Sequence, residues 1–106
     1  TFFKKIENNE IQVYFSIVLE LEIFSGKTSE SSEEQKIIED LLALMIRVDL
    51  DKDIARKAAF IRRKYNLSIA DSIVVGTALS KNIKTIVTRN KKHFEKVKEA
   101  RILVPY

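Results

Sequence analysis

The chain predicts an α/β fold, a parallel or mostly parallel sheet covered by helices, from three observations. Short β-branched and aromatic runs alternate with apolar patterns of helical period, which is the order that builds parallel strands. Its 106 residues suffice for one ordinary core and no more. A 45% apolar and 32% charged composition, with no Pro-, Gln- or Ser-rich tract, is that of a folded domain without a disordered tail.

The elements follow in order. "FFKKIENNE" reads as the end of an amphipathic helix, with Phe2, Phe3 and Ile6 on one face and Asn8 or Asn9 at its C-terminal cap. "IQVYFS" is a strand, Ser16 caps the helix "IVLELEIFSG", and Gly26 stops it; "KTSESS" is a polar loop. Ser31 and Glu34 form a capping box for "SEEQKIIEDLLALM", whose stripe of Ile37, Ile38, Leu41, Leu42 and Met45 is assigned to the core, although it could equally serve an interface. "IRVDL" is a short strand, Asp51 caps a helix carrying Ile54, Ala55, Ala58, Ile61 and Tyr65 at helical spacing, and Asn66 ends it. Ser68 opens the helix of "NLSIADSIVVGTALSKN", Asn82 closes it, and "KTIVT" is a strand buried on both faces. "NKKHFEKV" is a loop or short helix, and "RILVPY" a last strand.

Composition excludes several chemistries. Without cysteine there is no disulfide framework, thiolate nucleophile or thiolate zinc site, and the lone histidine, His93, leaves zinc poorly supplied with ligands. No apolar run approaches the ~20 residues of a membrane span, so the protein is expected to be cytoplasmic and away from the membrane. Charge is unevenly divided. Residues 1–50 carry 5 Lys/Arg against 10 Asp/Glu, net −5, and residues 51–106 carry 14 against 5, net +9. The basic half suits a polyanion, though solvated helix faces have the same composition.

Phosphate loops, nucleophile elbows and His-rich metal pairs are missing from the sequence. What stands out is acids among apolar residues, each of which needs a hydrogen bond, a cation or a metal. Asp71 completes a capping register with Ser68, or else points from the first turn of a buried helix into a cleft at the sheet edge. Glu20 and Glu22 lie about 200° apart on a helix, so one is expected inside and one in solvent. Thr88, Asn90 and His93 follow a strand whose C-terminal end is where α/β folds place ligands; Asn90 could equally be a turn residue, and His93 a packed, hydrogen-bonded imidazole. Separated carboxylates with an amide suit Mg²⁺ or Mn²⁺, which take oxygen ligands and keep waters. Beside a basic surface, that is the profile of a metal-dependent nuclease.

Three segments, spread over nearly the whole chain, resemble one family. "FSIVLELEIFSG" resembles a Ser-x-x-x-x-x-Glu helix ending in Gly, "RKAAFIRRKYNLSIADSIVVGTAL" a basic helix followed by Asp-x-x-x-x-x-x-Ala, and "IKTIVTRNKKHFEKV" with "VPY" the last two strands, of the PIN domain, in particular the VapC-type ribonuclease toxins of toxin–antitoxin pairs. The resemblance implies a single PIN-like domain over residues 1–106, with a parallel β-sheet flanked by α-helices, and N-terminally truncated relative to the family, because the family's first acid and its strand precede Thr1. It puts the second acid on Glu22, with Glu20 at a usually apolar position, and the third on Asp71; Asn90 and His93 occupy the places of the fourth. Glu22 and Asp71 are thereby implied as catalytic, Glu22, Asp71 and Asn90 as ligands of Mg²⁺ or Mn²⁺, with Thr88 and His93 beside them. Arg89, Lys91 and Lys92 are the expected phosphate contacts. The function implied is water-mediated hydrolysis of RNA by a homodimer with an antitoxin-type partner; the missing first acid and neutral Asn90 and His93 leave open a non-catalytic scaffold that binds RNA or protein.

Overall fold

The structure is a computed structural model and describes residues 2–26 and 31–104. They fall into two compact units, 1–49 and 50–106. Each holds one pair of parallel strands, so the strands run in the expected sense but as two short pairs.

In the first unit, α1 (Phe2–Glu7) ends where Asn9 takes a left-handed φ of 58° and Glu10 N–H reaches back to the Lys5 carbonyl at 2.8 Å. Asparagine tolerates that conformation better than other side chains, which is why the run "ENNE" can stop a helix. Strand β1 (Tyr14–Ser16) leads directly into α2 (Ile17–Phe24), and the Ser16 hydroxyl accepts from Val18 N–H at 3.2 Å. The helix stops before Gly26: Ser25 is its cap, and its hydroxyl donates to the Leu21 carbonyl at 2.6 Å. Most of the expected "KTSESS" loop, residues 27–30, lies outside the described residues. Ser31 caps α3 (Ser32–Leu42) by accepting from Glu34 N–H at 3.0 Å, and β2 (Ile46–Val48) pairs with β1, Phe15 opposite Arg47.

The assignment of the α3 stripe to the core is corrected. Only Leu42 joins Ile6, Phe15, Val18 and Val48 as a buried apolar side chain among the described residues of this unit; Ile37 is 66% exposed, and Leu41 is exposed as well. Helical periodicity identifies an apolar face but does not supply anything to cover it, and here only the C-terminal end of α3, at Leu42, is buried.

The second unit is organised by two helices. Asp51 caps α4 (Lys52–Tyr65), accepting from Ile54 N–H at 2.8 Å, and left-handed Asn66 (φ 54°) ends it. Ala55, expected in the apolar stripe, is exposed, while Ile54, Ala58 and Ile61 are buried against α5 (Ile69–Ser80). At the crossing the α5 backbone comes so near that a Cβ on Gly76 would stand 2.8 Å from Ala58 N and 2.9 Å from the Ile54 carbonyl oxygen. The buried hydroxyls of α5 are satisfied within the helix: Ser72 donates to the Ile69 carbonyl and Thr77 to the Ile73 carbonyl, each at 2.7 Å. Asn82 (φ 55°) turns the chain so that Ile83 N–H meets the Ala78 carbonyl, and β3 (Thr85–Val87) begins. A short helix α6 (Lys91–Phe94) connects β3 to its parallel neighbour β4 (Arg101–Leu103). Ile61, Leu67, Val75, Ala78, Ile86, Phe94 and Val97 form one apolar cluster beneath them. No helix among the described residues is long and apolar enough to cross a membrane.

The segment before β4 is pinned to the end of α4. Tyr65 donates to one Glu99 oxygen at 2.5 Å, Lys64 donates to the other at 2.8 Å, and Lys98 N–H donates to the Tyr65 hydroxyl oxygen at 3.1 Å. Burial pushes the Glu99 carboxyl up, but the hydrogen bonds from Lys64 and Tyr65 outweigh it and hold it below the ordinary glutamate value. The hydrogen bond to Glu99 raises Lys64.

Gly76→Ala drives a Cβ into backbone atoms that cannot rotate away, and is expected to destabilise the protein by about 1–3 kcal/mol, read by urea denaturation. For Glu99, a lowered folded pKa means that its contribution is present above the ordinary carboxyl value and is lost as pH falls through the folded one; for Lys64, raised, the contribution is lost only as pH rises through its folded value. Glu99→Gln should therefore cost about 1 kcal/mol near neutral pH and nothing once the wild-type carboxyl is protonated, with melting temperature against pH as the measurement.

Candidate functional site

The N-terminus of α5, the C-terminal end of β3 and the start of α6 bring five polar residues into one chain of contacts. Ser68 satisfies the helix N-terminus by accepting from Asp71 N–H at 3.1 Å. The Asp71 carboxylate is turned elsewhere: its Oδ2 lies 3.3 Å from His93 Nδ1, a contact that becomes an ion pair when the imidazole is protonated. His93 N–H in turn donates to the Asn90 carbonyl at 3.0 Å, and Asn90 N–H donates to the Thr88 hydroxyl oxygen at 3.0 Å. Thr88 itself is held by its own N–H on the Leu103 carbonyl, which extends the β3–β4 ladder by one step.

The residues differ in access. The Asp71 side chain is 23% exposed and that of His93 56%, so the carboxylate is sheltered while the imidazole stands in solvent. This corrects the reading of His93 as a packed imidazole; the next residue, Phe94, takes the core position instead, its ring centroid 6.4 Å from that of His93. Asn90 occupies the N-cap position of α6 without a side-chain capping bond, and the residue is exposed. Arg89, Lys91 and Lys92 are exposed around it.

Glu22 and Glu20 belong to the first unit, on α2. Glu22 is exposed, and Glu20 is the partly buried one, its Oε1 3.5 Å from Arg47 Nη1. One acid in and one out is the arrangement that their spacing requires. Glu20 and Arg47 also line a cavity of about 230 Å³ floored by Phe15, Leu42 and Met45. In the sequence the only sign of Arg47 is a charge between two apolar residues in "IRVDL", which does not distinguish it from a surface strand residue.

The site offers hard oxygen donors: a sheltered carboxylate at Asp71, an exposed amide at Asn90 and a hydroxyl at Thr88. That chemistry fits Mg²⁺ or Mn²⁺, which bind through one or two carboxylates and retain several waters. No three or more Asp, Glu or His side chains gather in a metal-holding group among the described residues, so most positions around such an ion would fall to water and substrate oxygens.

Comparison with known proteins agrees with this arrangement of elements. A chain from a toxin–antitoxin complex of Klebsiella pneumoniae superposes with a TM-score of 0.71 at 23% identity, covering 86% of this chain and 72% of the other. A chain from DNA-bound VapBC of Salmonella typhimurium superposes with a TM-score of 0.78 at 20% identity, covering 94% and 80%. These identities establish a shared fold. No match was found among curated proteins. The sequence matches the family model of the PIN domain over residues 1–100, nearly its full length, and the chain therefore belongs to the PIN domain family.

Proposed function

We propose that the protein is a metal-dependent endoribonuclease, the toxin of a toxin–antitoxin pair, acting in the cytoplasm. The observation that carries this reading is Asp71. Its helix-capping duty is met by Ser68 and its own backbone N–H, so the carboxylate is available at the strand end beside Thr88, Asn90 and His93. In a PIN domain, a sheltered acid in that place has a use beyond capping.

Asp71 and Asn90 are assigned as ligands of Mg²⁺ or Mn²⁺ at this strand end, and Glu22, the second acid that the family resemblance implies, as a further metal-binding residue. The bound ion would supply an activated water and neutralise charge developing on the phosphate. Thr88 orients the Asn90 backbone through its hydroxyl. His93 holds the Asp71 carboxylate in place through Nδ1, and Arg89, Lys91 and Lys92 attract the phosphodiester to this edge. The fold shared with two toxin–antitoxin chains supports an antitoxin-type protein as partner, and the reading includes a homodimer.

A second reading has one observation in its favour. Asn90 and His93 stand where the family places a fourth acid, and no group of three acids forms among the described residues, as in a scaffold that has kept binding and lost cleavage. The two readings separate on metal. In the nuclease, RNA cleavage occurs with Mn²⁺ or Mg²⁺ and stops in EDTA, and Asp71→Asn or Glu22→Gln lowers it about a hundredfold or more with the fold intact by circular dichroism. Cleavage that persists in EDTA would sink it. Titration calorimetry showing no Mn²⁺ binding, with partner affinity retained, selects the scaffold.

A further inference from the structure

Helix α4 carries Lys52, Arg56, Lys57, Arg62, Arg63 and Lys64 against one acid, Asp53. Not all of these charges are available. Lys57 is paired with Asp53 at 2.7 Å, and Asp53 also accepts from the Ser80 hydroxyl at 2.9 Å; Lys64 is paired with Glu99. Arg56 and Arg63 are exposed and have no ion pair or side-chain hydrogen bond among the described residues.

Along the helix axis Phe60, 51% exposed, stands between them. At about 100° per residue, Arg56 and Arg63 lie about 40° and 60° to one side of Phe60, and Lys64 about 40° to the other. The buried positions Ile54, Ala58 and Ile61 are on the opposite face. Lys64 Nζ stands 5.8 Å from the Phe60 ring centroid, which braces the ring from one side while half its surface remains in solvent. Half of the ring is open to solvent, so its face is accessible for stacking between the two exposed guanidinium groups.

We propose that the outer face of α4, with Phe60 flanked by Arg56 and Arg63, is a binding track for single-stranded RNA, separate from the Asp71 site. An aromatic ring between unpaired arginines is the arrangement that holds a single strand: a base stacks on the ring, and the guanidinium groups take the neighbouring phosphates. Charge decides against a second copy of this chain. A two-fold contact would set Arg56 and Arg63 against their own counterparts, and like charges repel, whereas a polyanion meets this face as a complement. The choice of RNA rests on the nuclease reading above; the binding itself needs no metal.

The test is fluorescence anisotropy of a short labelled oligouridine with the full chain in EDTA, so that failure of metal-dependent cleavage and failure of this track are read in separate experiments. Phe60→Ala should weaken binding about tenfold while Phe60→Tyr retains it, with melting temperatures close to wild type. The double variant Arg56→Ala/Arg63→Ala should lower the slope of log affinity against log salt by about 1.4, about 0.7 for each phosphate that is no longer neutralised. Wild-type affinity in both Phe60→Ala and the double arginine variant, or loss of binding only in Lys91→Ala/Lys92→Ala, overturns the proposal. So does Phe60→Ala converting a dimer to a monomer in sedimentation without changing RNA affinity, which would assign this face to self-association.

Discussion

The second unit depends on the close crossing of α4 and α5. At Gly76 the two backbones approach to a distance that leaves no room for a β-carbon, and Ala58 on the facing helix is the smallest side chain that still favours a helix. With small residues at the crossing, Ile54, Ile61 and Val75 close around it and are essentially removed from water. Dispersion and apolar burial are strongest where atoms are packed most densely, so this point sets the angle and height of α5. Everything at the site follows from that position, since Asp71 is on the first turn of α5 and β3 hangs from its last turn through Asn82 and Ile83.

Capping and function do not compete at Asp71. A helix N-terminus needs acceptors for its exposed N–H groups, and Ser68 provides one for the Asp71 N–H. The Asp71 carboxylate still benefits from the positive end of the helix, but it is directed at His93. One residue thus supplies its backbone to local structure and its side chain to the strand end. Thr88 and Asn90 are arranged in the same way, with a hydroxyl fixing a backbone N–H while the exposed Asn90 side chain makes no capping bond.

The basic half of the molecule is partly neutralised and partly not. Pairs such as Lys57 with Asp53 and Lys64 with Glu99 are exposed or half-exposed, where screening leaves them a small part in stability. Their larger effect is geometric: Glu99 ties the segment preceding β4 to the end of α4 through Tyr65. Arg56 and Arg63, cations without such partners among the described residues, keep their full field for a ligand.

Local chemistry was legible in the sequence. Ser16, Ser31, Asp51 and Ser68 cap the helices as their positions predict, and Asn66 and Asn82 take the left-handed conformation that ends a helix, because a cap is made by atoms within three or four residues of one another. The family was legible too, through the spacing of acids and small residues across three segments. Tertiary structure decided what no local pattern contains. It left Ile37 and Leu41 of a regular apolar stripe in solvent, put Phe94 rather than His93 in the core, and joined Glu20 of α2 to Arg47 of β2. A period of 3.6 residues specifies which side chains share a face, but burial and pairing depend on which other surface arrives there, and that is settled only when distant segments pack.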